Sequence, residues 1–285
     1  MEPISTLYER EPVPLETLPP ALATAHGGGL SIPPRGEGEL PYFIANFVET
    51  LDGVVSYNAP GQTGGGVISG DNQQDQMVMG LLRALADVVI IGTSSLHHDA
   101  NHLHIPSFIF PPFAAEYETL RTQAGKREPL PMTVVVTASG QINLNDATFH
   151  VPELRTLIAT TTRGYAHLAQ QPLPPGAVIK VIEPVGDDTA NGVSPRGLLA
   201  LLAREYGVRT ALYEGGPTLL ASFLTEHLVD ELFLTLAPQL AGRSAASYRL
   251  GLVEGHAFMP EDAPWATLLS VKLAENHLLL RYKIK

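Results

Sequence analysis

Three short stretches put chemistry-bearing residues directly after apolar runs of strand length. The first is Thr50-Leu51-Asp52-Gly53. Gly53 permits a turn and Asp52 presents a carboxylate at the strand end; taken alone, this is also the pattern of an ordinary turn closed by an Asx hydrogen bond. The second is Gly92-Thr93-Ser94-Ser95-Leu96-His97-His98-Asp99. Its glycine lets backbone approach a ligand, its hydroxyls can donate, and a helical turn after it would aim N–H groups at a phosphate. The same residues would equally make a polar helix cap. The third is Glu214-Gly215-Gly216-Pro217-Thr218-Leu219. A tight strand-to-helix turn needs one glycine. Two, followed by a proline and a threonine, suit a pyrophosphate lying on bare backbone N–H groups at a positive helix end. Glu214 then points from its strand end toward the same crevice.

The elements that must position these junctions alternate between strand and helix from Pro41 onward. Strands are expected at 42–48, 87–92, 133–140, 156–161, 177–184, 209–216 and 230–238. Residues 71–86 read as a helix capped by Asp71, with Met77, Leu81, Leu82 and Leu85 on one face. Residues 194–207 read as a helix with Ser194 as cap, Pro195 in the first turn and Gly207 as stop, and 217–227 as another. The segments 266–274 and 276–284 flank Glu275-Asn276 as a terminal hairpin. This is an α/β chain: a mainly parallel sheet flanked by helices, with an antiparallel C-terminal hairpin at one edge. Ligands of such sheets bind beyond the carboxyl ends of the strands, where the three junctions lie. Residues 1–40, rich in Pro and Gly, read as an irregular extension carrying one short helix near Leu15–Ala25. The remainder, 41–285, contains an irregular insertion at about 100–128, with a short helix at 114–123, and a glycine-rich loop at 61–70 suited to closing over a ligand.

Composition narrows the chemistry. A net charge of −11 with 18 Lys plus Arg offers no basic face for nucleic acid. The absence of cysteine excludes thiolate nucleophiles, disulfides and Cys-zinc or iron–sulfur sites. No apolar run reaches membrane-spanning length and no leader is evident, so the cytoplasm is the expected location. No G-x-G-x-x-G, P-loop, G-x-S-x-G or H-E-x-x-H pattern occurs. His97, His98, His102 and His104 with Asp99 could be read as a metal site, but closely spaced loop histidines are more often solvated or hydrogen-bonded, and no metal is expected.

In order and spacing, TLDG (50–53), VISG (67–70), LRALAD (82–87), IGTSSLHHD (91–99), EGGPTL (214–219) and VDELFLTLAPQLAG (229–242) resemble the pyrimidine reductases of riboflavin biosynthesis. The resemblance is to the reductase domain of the bifunctional deaminase–reductase and its free-standing relatives, and it spans about Pro41 to Gly242. It implies a dihydrofolate-reductase-like fold and an NADPH-dependent reduction of a small heterocycle. By the same resemblance Val48 would contact the nicotinamide carboxamide. Gly92, Ser95 and Asp99 would be cofactor residues, with Ser95 where the family has Thr. Gly215, Gly216, Pro217, Thr218 and Leu219 would hold the pyrophosphate. Glu214 would touch substrate, as would Asp52. Ser139 and Arg163 would meet the adenosine 2′-phosphate. Relatives dimerise, and a homodimer through the 230–238 strand and the hairpin is the matching expectation. Two departures bear on substrate: Val67 stands where the family has tryptophan, and the stretch from Asp99 to Pro106 lacks the arginine that grips a phosphoribosyl group. His102 or His104, when protonated, is the substitute this sequence offers. The proton donor is left between Asp52, Glu214 and water. A second reading is a dinucleotide-binding protein on the same fold without turnover.

Overall fold

In a computed structural model, residues 1–59, 64–98, 101–182 and 192–285 are described, apart from the side chains of His97 and His98. The elements in chain order are β1 (Ser5–Glu9), α1 (Pro20–His26), β2 (Tyr42–Thr50), α2 (Gly65–Ser69), α3 (Gln73–Leu85), β3 (Val88–Gly92) and α4 (Thr93–His98). Next come α5 (Pro106–Ile109), α6 (Ala114–Gln123), β4 (Met132–Thr137), β5 (Thr156–Thr160), α7 (Thr162–Leu168), β6 (Ala177–Val181) and α8 (Pro195–Tyr206). The chain ends with β7 (Thr210–Tyr213), α9 (Pro217–Thr225), β8 (Glu231–Ala237), β9 (Ala266–Ala274) and β10 (His277–Ile284).

One sheet holds every strand named, in the order β1-β9-β10-β8-β2-β7-β3-β4-β5-β6. From β8 to β6 all neighbours are parallel; β1, β9 and β10 add the antiparallel part. Alternate residues of the parallel strands feed two cores. Ile44, Val89, Ile91, Val135 and Leu212 meet α3 and α6 on one side. Phe43, Val88, Ile90, Val134 and Tyr213 meet α8 and α9 on the other. Covering both faces is why these strands read as unbroken apolar runs.

Several expectations are corrected. The helix cap is Asn72, not Asp71: the Asn72 side chain accepts from the Asp75 N–H at 2.9 Å, while Asp71 sits at φ 54 just before it. Residues 1–40, read as irregular apart from one short helix, also carry a strand and pack on the domain. β1 pairs with β9, and Ile4, Leu18, Leu22 and Leu30 enter the core. A five-residue strand preceding a proline-rich segment has too little periodicity to be seen in sequence. The 100–128 stretch is largely helical, and α6 has the bounds expected of its helix. Within the glycine-rich loop, residues 65–69 form α2; residues 60–63 lie outside the described part. The 177–184 strand is described only to residue 182. The 230–238 strand and the hairpin do not offer open edges, because β8 lies between β2 and β10 and β9 is covered by β1.

Candidate functional site

β2, β7 and β3 are adjacent, so the turns at their carboxyl ends meet at one end of the sheet. A cavity of about 550 Å³ opens there. Asn46, Phe47 and Val48 of β2 form one wall, and Gly65, Gly66 and Ser69 of α2 cover it. Asp75, Met79 and Arg83 of α3 line another wall; Ser94, Ser95 and the Glu214–Pro217 turn complete it.

The two turns expected to hold a dinucleotide face one another. Gly216 caps α9 in an extended conformation (φ −79, ψ 163). A Cβ added to it would stand 3.3 Å from Ser94 Oγ. The space a side chain would take is therefore the gap between the turns. Gly215 has a different reason to be glycine: its missing Cβ makes room for Tyr213, whose hydroxyl oxygen and ring carbons would come within 2.6–2.8 Å. The Tyr213 hydroxyl donates to the Gly216 carbonyl at 2.5 Å and so fixes the turn.

Of the other cofactor positions, Val48, Ser95 and Pro217 line the cavity. Gly92 closes β3 just before the Ser94 turn. Thr218 is exposed, and the Leu219 side chain packs on the core under α9. Asp99 lies outside the described residues. Ser139 and Arg163 come after β4 and β5, away from the cavity lining; Ser139 accepts from the Gln141 N–H and Arg163 is exposed on α7.

The substrate carboxylates divide. Asp52 is not among the residues lining the cavity. It accepts from the Thr50 hydroxyl at 2.7 Å and from the Ala241 and Gly242 N–H groups at 3.0 and 2.7 Å. The hydroxyl first, then those N–H groups, hold its carboxyl well below the usual range. A carboxylate so engaged ties the 241–242 loop to the end of β2, outside the cavity lining where a substrate contact was expected.

Glu214 does line the cavity, bound by an arginine that the sequence reading passed over. Arg83 Nε donates to both Glu214 oxygens at 3.2 and 2.9 Å, and Nη2 lies 2.8 Å from Oε2. The two side chains are 1% and 5% exposed. Arg83 Nη1 also donates to the Leu103 and Ile105 carbonyls, and Nη2 reaches His102 Nε2 at 3.1 Å. An arginine inside the apolar segment from Met77 to Ala86 was the available signal, since a charge placed in a core must be paired.

Asp75 was also missed. It lies in the first turn of α3, is buried, lines the cavity and accepts from the Thr235 hydroxyl at 2.6 Å. Thr235 is registered beside Val48 across β2 and β8, so Asp75 meets the cavity at the expected nicotinamide position. Burial pushes its carboxyl up to about 6, against the lowering effects of Thr235 and nearby His277. His102 and His104 form an edge-on pair with centroids 5.0 Å apart. Burial and then Arg83 push His102 down to about 4 and His104 well below its ordinary value. Both imidazoles are thus neutral, which corrects the expectation of a protonated substitute for the missing arginine.

Against known proteins, the profile of the RibD C-terminal domain matches residues 41–254. The chain belongs to the RibD C-terminal domain family. A curated relative from Archaeoglobus fulgidus, 2,5-diamino-6-ribosylamino-4(3H)-pyrimidinone 5′-phosphate reductase, is 28% identical over 205 residues, covering 71% of this chain and 82% of its own. The fold is shared with Acinetobacter baumannii RibD (TM-score 0.64, 21% identity), over 92% of this chain and 60% of that one. It is shared also with a pyrimidine reductase-like protein from Corynebacterium diphtheriae (TM-score 0.65, 20% identity, 86% and 92% covered). A third likeness is the riboflavin biosynthesis reductase Rib7 of Saccharomyces cerevisiae (TM-score 0.58, 12% identity, 86% and 90% covered). No described helix is long and apolar enough to cross a membrane.

Proposed function

We propose that this member of the RibD C-terminal domain family is an NADPH-dependent reductase of a small pyrimidine-like heterocycle. The observation that carries the reading is the meeting of the Ser94 turn and Gly216 at the mouth of a cavity whose inner wall holds Asp75. The residues suit a dinucleotide: Gly216 leaves a gap that a Cβ would fill, and the amino end of α9 turns a partial positive charge toward it. NADPH supplies a hydride when bound. The protein holds the substrate ring against it through β2 and α2, which supplies most of the effect by orientation. Asp75 holds a proton on its carboxyl below about pH 6 and delivers it to the substrate heteroatom. Glu214, pinned by Arg83, orients the ring rather than transferring protons.

The test measures NADPH binding and the fall in reduced-nicotinamide absorbance with ribosylaminopyrimidines. Gly216→Leu is expected to weaken NADPH by about tenfold or more, because its side chain enters the gap before Ser94. Unchanged affinity in that variant, or no NADPH binding by the parent, defeats the assignment. Tight binding without turnover on any pyrimidine supports a binding protein instead. The reading includes a homodimer and a location in the cytoplasm. Leu232, Leu236, Leu278, Leu280 and Tyr282 leave a half-buried apolar face on the antiparallel part of the sheet; sedimentation reads that state directly.

A further inference from the structure

Every guanidinium nitrogen of Arg83 already has an acceptor: Glu214 takes Nε and Nη2, the Leu103 and Ile105 carbonyls take Nη1, and His102 shares Nη2. Arg83 is the one Lys or Arg among the described residues lining the cavity. The undescribed segments add none, since 60–63, 99–100 and 183–191 contain no Lys or Arg. Two arginines of the loop after β8 are engaged elsewhere. Arg243 donates to the Asp52 and Gly53 carbonyls, and Arg249 donates to Ala241 O and lies over Tyr57. Among the described residues, those with carboxyl side chains that line the cavity are Asp71, Asp75 and Glu214. His102 accepts from a permanently charged donor through Nε2, which places its own proton on Nδ1 and leaves it uncharged. His104 is 5% exposed, and its Nδ1 has no hydrogen-bond partner among the described residues. A buried polar atom of this kind marks a place where a ligand atom completes the pairing.

We infer that the substrate of this cavity is an uncharged, phosphate-free heterocycle, such as a pyrimidine or its riboside, bound against the neutral His102–His104 pair. The inference rests on the reductase reading and narrows its substrate class. A phosphate monoester in this cavity would find three carboxyl groups and no unpaired cation among the described lining residues, and phosphate recognition depends on such cations. The name of the A. fulgidus relative specifies a 5′-phosphate, so this chain departs from that relative at the substrate.

The experiment compares a 6-ribosylaminopyrimidine with its 5′-phosphate in two assays: calorimetric binding to the NADPH-loaded protein, and turnover. The expected result is binding and kcat/KM at least about tenfold in favour of the riboside. Equal values, or preference for the phosphate, overturn the inference. Riboside-selective binding with no turnover of either compound leaves it standing and removes the reductase reading. Binding of neither compound removes the substrate assignment altogether. Phe108→Arg places a cation at the cavity rim beside His102, where Phe108 is 44% exposed and its ring is 5.1 Å from the imidazole. This variant is expected to shift the binding ratio toward the 5′-phosphate by about fivefold or more. A ratio that does not move shows that charge at this rim does not set the selectivity, and overturns the inference as well.

Discussion

Asp75 and Asp52 show how much a carboxylate's role depends on what it touches. Asp52 comes after a strand and before a glycine, as a catalytic acid at a sheet end would, yet its oxygens are taken by Thr50, Ala241 and Gly242. Asp75 looks like an ordinary acid in a first helical turn, yet it is buried beside Thr235 and retains a proton up to about pH 6. The groups around it are Thr235 on β8, His277 on β10, and Glu214 after β7. Asp75→Asn keeps the shape and removes the proton. Its kcat is expected to fall by about 10² or more while NADPH affinity is retained. The parent should lose rate as pH rises through about 6, because the carboxyl then gives up the proton it must donate. The variant should lack that limb. A parallel pH profile in parent and variant would remove Asp75 from proton transfer.

At the scale of elements, α3 is the connector. Asn72 caps it and also meets His277 Nδ1 at 3.3 Å, while His277 Nε2 reaches Ser69 O at 3.0 Å, so the start of β10 is tied to α2 and α3. At its far end Arg83 ties α3 to the turn after β7 and to the 102–105 loop. Removing one member of a buried ion pair strands the other charge. Arg83→Met is therefore expected to cost about 3–5 kcal/mol in urea unfolding. Adding Glu214→Leu to it should recover part of that loss, because the stranded carboxylate is gone. Additive losses in the double variant would show that the pair is not coupled. The signal for this connector was a lone arginine in an apolar helix. Its partner could not be read, because Glu214 is brought to it only by the insertion of β7 between β2 and β3.

The whole molecule carries a pH dependence in its N-terminal segment. His26 of α1 is buried, its Nδ1 lies 2.9 Å from Gly28 O, and burial first, then Lys272 of β9, push it down to about 4. A histidine whose folded value is depressed contributes stability above its unfolded value, near 6.5, and that contribution is lost as pH falls through about 4. Asp75 acts in the opposite sense, since its raised value favours folding at low pH and loses that effect as pH rises through about 6. Comparing the parent with His26→Gln isolates the histidine. The parent should lose stability relative to the variant by up to about 1.4 kcal/mol per pH unit between pH 6 and 4. Calorimetric Tm values that run parallel across this range would show that His26 is not the buried neutral group described.

The order of residues alone was enough for the alternation of strands and helices, the terminal hairpin, the family, and the two junctions, at Ser94 and at Gly216, that face one another across the site. Each of these is local: an apolar period, a capping residue, a pair of glycines before a proline. The folded chain was needed to show that β7 lies between β2 and β3, which brings Gly216 to Ser94, gives Arg83 its partner and puts Asp75 in the cavity wall. It was needed also to show that β1 closes the sheet beside β9 and that His102 and His104 are neutral. The physical reason is the same in each case. Strand order, burial and the company of a charged group are long-range properties, and no window along the chain contains them.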